Sequence, residues 1–405
     1  MESVRVLGAA EADEMARRLA EVLPPRISAP FTSAFVRSST LFDEYVDGLV
    51  LSVFRAVGLA EAAREPGTAD EIVRRAGLEP GRARVPVEWI LRRIGRRGIL
   101  EQSEGGGATR FRLIGKLPDL DPLAVREEQR HLDPSWLPSY VLAETVAKDY
   151  PAFLRGERVG EEILFSPLRL RLWVDFFSND NGLYAVNNSV GAGAVEEWMP
   201  RGPATIVELG GGLGSGATAV LDALRGAGRW GEISEYRFTE LVPAFLRRGQ
   251  NALQTRFPDA SFLRFASLDM NRPLGEQGVA PGSVSLVYAV NTVHVARDLG
   301  FTLREIFQAL APGGRLVISE CIRTTSAHVI YVEFIFNLME TFRSPALHPT
   351  YRPNGGFLTP EQWRGAMDAA GFVEIAVLPD IAAMRARFPD FNVGAVGATR
   401  PATRT

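Results

Sequence analysis

The chain of 405 residues contains one cysteine, Cys321, which excludes an internal disulfide framework and a zinc site built from several cysteines. It has no run of about 18 uncharged apolar residues, which a membrane-spanning helix would need. The formal net charge is only −3, so overall charge favours neither nucleic acid nor an anionic membrane as a partner. Acids at Glu2, Glu11, Asp13 and Glu14 are not typical of a secretory signal. We therefore expect a cytoplasmic protein with no nucleic-acid and no membrane partner.

Histidine is also scarce, with four residues in the chain, and this limits metal chemistry. Three of them, His131, His328 and His348, are scattered and lack the spacing of metal ligands. A divalent metal site of the catechol type would need clustered carboxylates near Asn291, and Asp269 is the only candidate there. The sequence therefore predicts no metal site.

The overall composition, with 46% hydrophobic and 23% charged residues, is typical of a globular protein long enough for two domains. Changes in sequence pattern divide the chain into three segments. We predict a helical, winged-helix-like N-terminal domain at 1–115, a linker and helical lid at 116–200, and an α/β domain at 201–405.

The N-terminal segment has the pattern of helices followed by a hairpin, which is typical of winged-helix domains. The predicted elements are helices at 8–23, 41–59 (capped by Ser39 and Thr40) and 86–95, a short helix opened by a capping box of Thr68 and Glu71, and hairpin strands at 99–102 and 110–113. The apolar first helix predicts packing against another domain or a second subunit, so a homodimer through this domain is expected.

Four arginines close to the hairpin, Arg92, Arg93, Arg96 and Arg97, allow a second interpretation, a winged-helix regulator that binds DNA. The overall acidic balance argues against it, because a charge run is more often a solvated helix face.

In the middle segment, we predict a linker at 118–138, which contains several prolines and charged residues. Helices are predicted to follow at 137–154, 169–177 and 183–198. Its aromatic side chains fit either a helical core or a lid over an apolar substrate; they are Phe165, Trp173, Phe176, Phe177 and Tyr184.

The C-terminal segment alternates strands and helices, which predicts a doubly wound parallel sheet. The predicted strands are 205–208, 237–240, 261–265, 284–289, 315–320, 373–378 and 392–398. The first ends in the stretch TIVELGGGLGSGA at 205–217. A strand, a glycine turn and a helix are the elements with which open α/β folds bind nucleotide cofactors, and glycines let a ligand approach the backbone.

Acidic and polar residues follow the later strands, so we expect them to meet at one edge of the sheet. Glu240 is placed to bind a ribose diol, because carboxylate oxygens accept hydrogen bonds from both hydroxyls. Asp269 is placed to contact an adenine amino group. Asn291 and His294 follow the fourth strand, and Glu320 ends the fifth.

The run Glu208-Leu209-Gly210-Gly211-Gly212-Leu213-Gly214 resembles the E-x-G-x-G-x-G motif of class I S-adenosylmethionine-dependent methyltransferases, whose fold is a Rossmann-like sheet. The resemblance extends over about 203–398. It implies S-adenosylmethionine as the cofactor, bound by Glu208, Gly210, Gly212, Gly214, Glu240, Asp269 and Asn291.

A narrower likeness is to the C-methyltransferase domains of polyketide synthases, on the sequences around Phe238–Leu246, Asn291–Leu299 and Gly160–Phe165. It implies a His–Glu pair that removes a proton from the carbon to be methylated, here His294 as general base and Glu320 as its orienting partner. The acceptor would be a small hydrophobic, polyketide-like molecule, free or bound to a carrier protein.

The N-terminal segment also resembles the dimerisation domain of small-molecule O-methyltransferases. That likeness agrees on His294 as the base but implies that oxygen is methylated. A methyltransferase fold recruited to another reaction is a further alternative. We predict that the substrate contacts Tyr184 and Asn188 from the helical block, and Glu333 and Asn337 on an apolar helix at 329–342.

Overall fold

A computed structural model of the chain describes residues 6–105 and 107–402. The chain forms two compact units, each assembled from several stretches of sequence. The first unit comprises Met1–Ala16 (described from residue 6), Thr32–Phe176 and Ala327–Arg343, and the second comprises Arg17–Phe31, Phe177–Ser326 and Ser344–Thr405 (described to residue 402). These bounds differ from the three consecutive segments of the sequence-based division.

The described part of the first unit consists of helices and one β-hairpin, and that of the second is built mainly from strands and helices in alternation. The helices are α1 Ala9–Ala20, α2 Pro25–Ser28, α3 Ser33–Ala56, α4 Leu59–Ala62, α5 Ala69–Arg75, α6 Pro80–Gly95, α7 Pro122–Leu132, α8 Leu137–Leu154, α9 Gly160–Phe165, α10 Leu170–Phe176, α11 Gly182–Trp198, α12 Ser215–Gly226, α13 Pro243–Arg256, α14 Leu299–Ala309, α15 Glu333–Phe336, α16 Glu340–Arg343, α17 Pro360–Ala369 and α18 Ile381–Arg385. The strands are β1 Leu100–Gly105, β2 Ala108–Leu113, β3 Ala204–Leu209, β4 Ile233–Thr239, β5 Leu263–Ala266, β6 Val284–Val290, β7 Leu310–Cys321, β8 Val373–Leu378 and β9 Val393–Thr399.

Local capping explains where the N-terminal helices begin. The Thr68 hydroxyl accepts a hydrogen bond from the Glu71 N–H and the Glu71 carboxylate accepts one from Thr68, which is the predicted capping box of α5. The Glu79 carboxylate caps α6, so this helix begins at Pro80 rather than at the predicted 86. The prediction that Ser39 and Thr40 cap the long helix is wrong: Thr32 caps α3, and Ser39 is buried within it.

Two further predictions about helices are corrected by the structure. The proposed linker at 118–138 contains α7, which begins where the Asp121 carboxylate accepts hydrogen bonds from two backbone N–H groups. The segment 329–342 is not one apolar helix, because its helical residues fall into the short helices α15 and α16. The hairpin of β1 and β2 is confirmed, with Leu100 opposite Leu113.

Ion pairs inside the first unit join α3 to α6 and to the residues just after it. Arg93 is 1% exposed and binds the carboxylates of Asp43, at 2.6 Å, and Asp47. Arg97 pairs with the second oxygen of Asp47 at 2.5 Å and with Glu44. A buried guanidinium needs such partners, because the desolvation of an unpaired charge is expensive.

These pairs also bear on the arginine group that suggested DNA binding. Arg92 pairs with Glu88 at 2.8 Å, so three of the four arginines hold carboxylates of their own unit. Their positive charge is therefore largely neutralised, and the group does not form a basic patch of free cations.

The second unit contains a seven-stranded sheet with the order β5-β4-β3-β6-β7-β9-β8. The first five strands are parallel, and β9 runs antiparallel to both β7 and β8. This arrangement confirms the predicted α/β fold class, with the antiparallel strand β9 inserted between β7 and β8. Because the parallel strands share one direction, the residues that follow β3, β4, β5, β6 and β7 lie along one edge. None of the described helices has the length and apolar character that crossing a membrane requires.

We expect Asp47→Ala to destabilise the protein by about 3 kcal/mol or more, because it leaves the buried Arg93 without one of its carboxylates. The midpoint of urea unfolding, followed by tryptophan fluorescence, measures the change. Glu61→Ala is the matched control, because its ion pair with Arg64 is largely exposed and should change stability by less than about 1 kcal/mol. Equal effects of the two substitutions would contradict the account.

Candidate active site

The turn after β3 is built from backbone conformations that favour glycine. Gly210, Gly212 and Gly214 have φ values of +60°, +59° and +88°. A Cβ at Gly210 would lie 2.4 Å from the Thr292 side chain, so a larger residue would not fit there. A Cβ at Gly212 would meet nothing within 4 Å, so this turn borders open space. The turn therefore presents bare backbone where a ligand can approach it.

Glu240, one residue after β4, is bound to this turn. Its Oε2 accepts a hydrogen bond from the Gly212 N–H at 2.9 Å, and its Oε1 accepts one from the Val242 N–H at 2.7 Å. Burial raises the pKa of Glu240, while the backbone N–H groups of Val242 and Gly212 act in the opposite direction. The structure therefore brings Glu240 and the glycine turn together, as the sequence predicted, and fixes the position of the carboxylate.

Glu208, near the end of β3, is 1% exposed. Its Oε2 accepts a hydrogen bond from the Tyr236 hydroxyl at 3.0 Å. Burial raises the pKa of Glu208 to about 8, and the nearby charge of Glu240 adds to this, against the hydrogen bonds from Tyr236 and the Ala217 N–H. Burial therefore favours the protonated form of this carboxyl.

Two predicted cofactor residues make contacts within the chain itself. Asp269 follows β5 and its Oδ1 accepts a hydrogen bond from the Asn271 N–H at 2.9 Å. Asn291 has a left-handed φ of +47°, and its Oδ1 accepts a hydrogen bond from the Cys321 N–H at 3.2 Å. Asn291 thus joins the ends of β6 and β7, and its predicted contact with a cofactor stays a prediction.

His294 and Glu320 form a hydrogen-bonded pair. His294 Nδ1 lies 2.7 Å from Glu320 Oε2, and the His294 N–H donates to Glu320 Oε1 at 3.3 Å. His294 is 3% exposed and Glu320 is fully buried. An ionised carboxylate only accepts, so this contact places the imidazole proton on Nδ1 and the lone pair on Nε2.

Two residues that the sequence reasoning missed hold His294 in place. Arg352 is buried and donates to the backbone oxygens of His294 at 2.5 Å and Ala296 at 2.7 Å. The centroid of the Phe357 ring lies 4.4 Å from the centroid of the His294 imidazole. Both residues come from an irregular stretch between α16 and α17, where no periodic pattern marks them.

Tyr184 and Asn188 on α11 belong to the same unit as the glycine turn. Burial raises the pKa of Tyr184, and the charges of Glu208 and Glu320 raise it further, so this phenol lies among the acids of the strand ends. Asn188 donates to Asn179, which in turn donates to the backbone at the start of α12. None of these hydrogen bonds or charges tests the prediction that Tyr184 and Asn188 bind a substrate.

The other two predicted substrate residues lie in the helical unit. Glu333 is fully buried, and its Oε2 accepts hydrogen bonds from Trp89 Nε1 at 3.0 Å and from the Ile330 N–H at 2.8 Å. Asn337 is 2% exposed. Contacts within its own unit therefore account for the buried carboxylate of Glu333.

Exposed apolar side chains next to Glu240 were also missed. Leu241 and Val242 are 53% and 44% exposed, although both are aliphatic and follow a buried strand. An apolar surface of this kind beside a polar turn suits the flat face of an aromatic ring. Throughout residues 6–105 and 107–402, no three His, Cys, Asp or Glu side chains are grouped as metal ligands.

Comparison with known proteins gives a family for part of the chain. Residues 207–316 match the family described as "Methyltransferase domain". Among curated proteins, the polyketide synthase ThaQ of Burkholderia thailandensis is 30% identical over 278 residues, covering 63% of this chain and 12% of ThaQ. Fumosorinone synthetase of Cordyceps fumosorosea is 31% identical over 235 residues, covering 57% of this chain and 5% of the synthetase. The chain thus spans a small part of the length of these relatives.

Three solved structures have a similar fold over nearly the whole chain. The carbon methyltransferase of CurJ has a TM-score of 0.73 at 21% identity, covering 97% of this chain and 99% of its own. The citrinin polyketide synthase CMeT domain has a TM-score of 0.70 at 18% identity, covering 98% and 99%. The trans-methyltransferase CalH, solved in complex with SAH, has a TM-score of 0.54 at 19% identity, covering 96% and 88%. The predicted methyltransferase fold is confirmed, and S-adenosylmethionine is the cofactor that domains of this fold use.

We expect Glu208→Gln to flatten the pH dependence of stability in the absence of ligand. The pKa of Glu208 is raised from its usual 4.5 to about 8, so the folded chain keeps a proton that the unfolded chain loses. This contribution is complete below about pH 4.5 and is lost, at roughly 1.4 kcal/mol per pH unit, as the pH rises towards 8. Glutamine does not titrate, yet its oxygen can still accept from Tyr236.

Urea unfolding midpoints at about pH 5, 7 and 9 measure this effect. The unfolding midpoint of Glu208→Gln should exceed that of the unsubstituted chain by an amount that grows as the pH rises. Glu61→Gln, at an exposed position, is the control and should follow the unsubstituted chain. Parallel curves for Glu208→Gln and the unsubstituted chain would show that Glu208 does not titrate abnormally.

Proposed function

We propose that this chain, whose residues 207–316 form a methyltransferase domain, methylates a carbon atom of a small hydrophobic acceptor of the β-ketoacyl type, with S-adenosylmethionine as methyl donor. The observation that carries the proposal is the buried His294–Glu320 pair at the same sheet edge as the glycine turn. In this proposal His294 is the general base and Glu320 orients it.

The residues present fit the cofactor. Bare backbone with open space at Gly212 suits a ligand that lies against the turn. Glu240 offers carboxylate oxygens to a ribose diol, and Leu241 and Val242 offer an apolar surface to adenine. Glu208 offers a buried acceptor to a cationic amino group. The acids and the apolar surface thus suit three chemically distinct parts of the donor, namely the ribose diol, the adenine ring and the amino group.

The mechanism needs two contributions from the protein, proximity and a deprotonated acceptor. S-adenosylmethionine, when bound, supplies a methyl group on a positively charged sulfur that a nucleophile displaces in line. His294 Nε2 accepts the proton from the acceptor carbon. Glu320 holds the Nδ1 proton, fixes the orientation of the ring and stabilises the imidazolium that forms.

An imidazole base suits a carbon that lies between two carbonyl groups. Such a carbon is acidic enough for a positioned imidazole to deprotonate it. Two of the structures with this fold are named as the CurJ carbon methyltransferase and the citrinin polyketide synthase CMeT domain, and the sequence relative ThaQ is named a polyketide synthase. Both facts support a ketide acceptor, either free or bound to a carrier protein.

Oxygen methylation is the second candidate. The helices and hairpin of the first unit resemble the N-terminal domain of small-molecule O-methyltransferases, and His294 would equally remove a hydroxyl proton. The two candidates differ in the acceptor: β-ketoacyl thioesters test the first and phenolic hydroxyls test the second.

We expect His294→Ala to lower methyl transfer by about 100-fold or more, because positioned acid–base groups contribute about that factor. Glu320→Gln should lower it less, because its oxygen can still accept from Nδ1 although the charge is gone. Transfer of labelled methyl to a panel of β-ketoacyl thioesters and phenols gives the rates, and calorimetry gives the affinity for the cofactor.

The control is His131→Ala, which removes an exposed imidazole from the helical unit and should leave the rate unchanged. Cofactor affinity should stay within about threefold in every variant. Full turnover by His294→Ala, with cofactor binding intact, would rule out the assigned base.

A further inference from the structure

Arg352 is a buried arginine whose guanidinium binds backbone oxygens and not a carboxylate. It is 1% exposed, and it donates to the backbone oxygen of His294 at 2.5 Å and to that of Ala296 at 2.7 Å. In the described chain its Nε has no hydrogen-bond partner, and no carboxylate forms an ion pair with it. Arg93, which is equally buried, binds two carboxylates instead. Burying a charge without a carboxylate is expensive, so the arrangement calls for a reason other than stability.

The two oxygens belong to the short turn that carries the base. Val293–Val295 forms one turn of 3₁₀ helix, whose own backbone hydrogen bonds use the oxygens of Thr292 and Val293. Arg352 binds the oxygen of His294 itself and that of the residue that ends the turn. A guanidinium is planar and holds its N–H groups in a fixed fork, so the two bound oxygens fix the orientation of the turn.

Arg352 is itself fixed by the segment that carries it. Its backbone exchanges two hydrogen bonds with that of His348, both at 2.9 Å, which closes a tight turn. The Tyr351 ring stacks on the His348 ring with centroids 3.8 Å apart, and a Cβ at Gly300, in α14, would lie 2.7 Å from the Tyr351 hydroxyl. The contacts of Tyr351 therefore attach this turn to α14, the helix that follows His294 in the chain.

The contacts to His294 involve its ring and both ends of its backbone. Glu320 binds the ring at Nδ1 and the backbone N–H, and Phe357 packs against the ring. Arg352 adds the contact at the carbonyl oxygen. A base held at these three places can aim Nε2 in one direction, and a misplacement of about 1 Å can lower a rate by about 100-fold.

We propose that Arg352 is a positioning residue for methyl transfer, because its fork fixes the turn that aims Nε2 of His294 at the acceptor carbon. The inference rests on the proposed function, in which His294 is the general base. It assigns to Arg352 an effect on proton abstraction that acts only through His294, with no contact to the donor or the acceptor. The need to aim the base explains why the fold keeps a buried guanidinium without a carboxylate.

Substitution of Arg352 separates its fork from its charge. Arg352→Met should lower kcat for a β-ketoacyl thioester by about 10- to 100-fold, and should change the KM of the acceptor and the Kd of the donor by less than about threefold. Arg352→Lys keeps the charge and can bind one oxygen, so its loss of kcat should be smaller. Protein-catalysed exchange of the acceptor α-hydrogen for deuterium, measured without donor, reports proton abstraction alone and should also fall by about 10- to 100-fold with Arg352→Met.

A double substitution tests whether Arg352 acts through His294. In the His294→Ala background, Arg352→Met should lower the residual rate by less than about twofold, because the group that it positions is already gone. Arg229→Met is the matched control. Arg229 is also buried and donates to backbone oxygens, but to those of Met199 and Pro200, just before β3 begins and at the opposite edge of the sheet. This control should leave kcat and exchange by the folded protein unchanged.

The outcomes separate this inference from the proposed function. Circular dichroism gives the folded fraction of each variant, and Arg352→Lys carries the test if Arg352→Met does not fold. Unchanged exchange with Arg352→Met, an equal loss of kcat with Arg229→Met, or a further large loss in the His294→Ala background overturns the role of Arg352 while the unsubstituted chain stays active. An unsubstituted chain that neither exchanges nor methylates any β-ketoacyl thioester overturns the proposed function, and this inference with it.

Discussion

The burial of three carboxyl groups at the ends of parallel strands is the constraint on which this site depends. Glu208, Glu240 and Glu320 are each less than 10% exposed, and a buried carboxyl is stable only with donors or a proton. Glu240 accepts hydrogen bonds from the N–H groups of Gly212 and Val242. Glu320 is paired with His294, and Glu208 accepts a hydrogen bond from the Tyr236 hydroxyl. The hydrogen-bond partners of each carboxyl group determine which role it can take in the site.

In the proposed function, these acids divide the edge of the sheet into a region for the donor and a region for proton transfer. The proposed donor region consists of the Glu208 carboxyl and the positive-φ glycines. The proposed proton-transfer region consists of His294 and Glu320, and Arg352 donates hydrogen bonds to the backbone beside it. Rigidity matters because a base that is displaced by about 1 Å loses much of its effect.

The sequence could predict those parts of the site that follow from strand ends and local capping. Glu208, Glu240 and His294 were predicted because each lies at the end of a recognisable apolar strand or a few residues after it, and Thr68 because its capping partner Glu71 lies three residues away. Contacts between distant segments could not be predicted. Glu333 accepts a hydrogen bond from Trp89, which is 244 residues away in the sequence. Arg352, in an irregular loop, donates to the His294 backbone oxygen, 58 residues away. Neither pairing leaves a periodic signal in the sequence.

The position of the transferred methyl group tests the central claim most directly. Carbon-13-labelled S-adenosylmethionine, a β-ketoacyl thioester and the unsubstituted chain are incubated together, and the product is examined by NMR. The account predicts a labelled methyl bonded to the carbon between the two carbonyls, absent with His294→Ala. A labelled methyl ether, or a labelled C–CH₃ group formed equally well by His294→Ala, would contradict it.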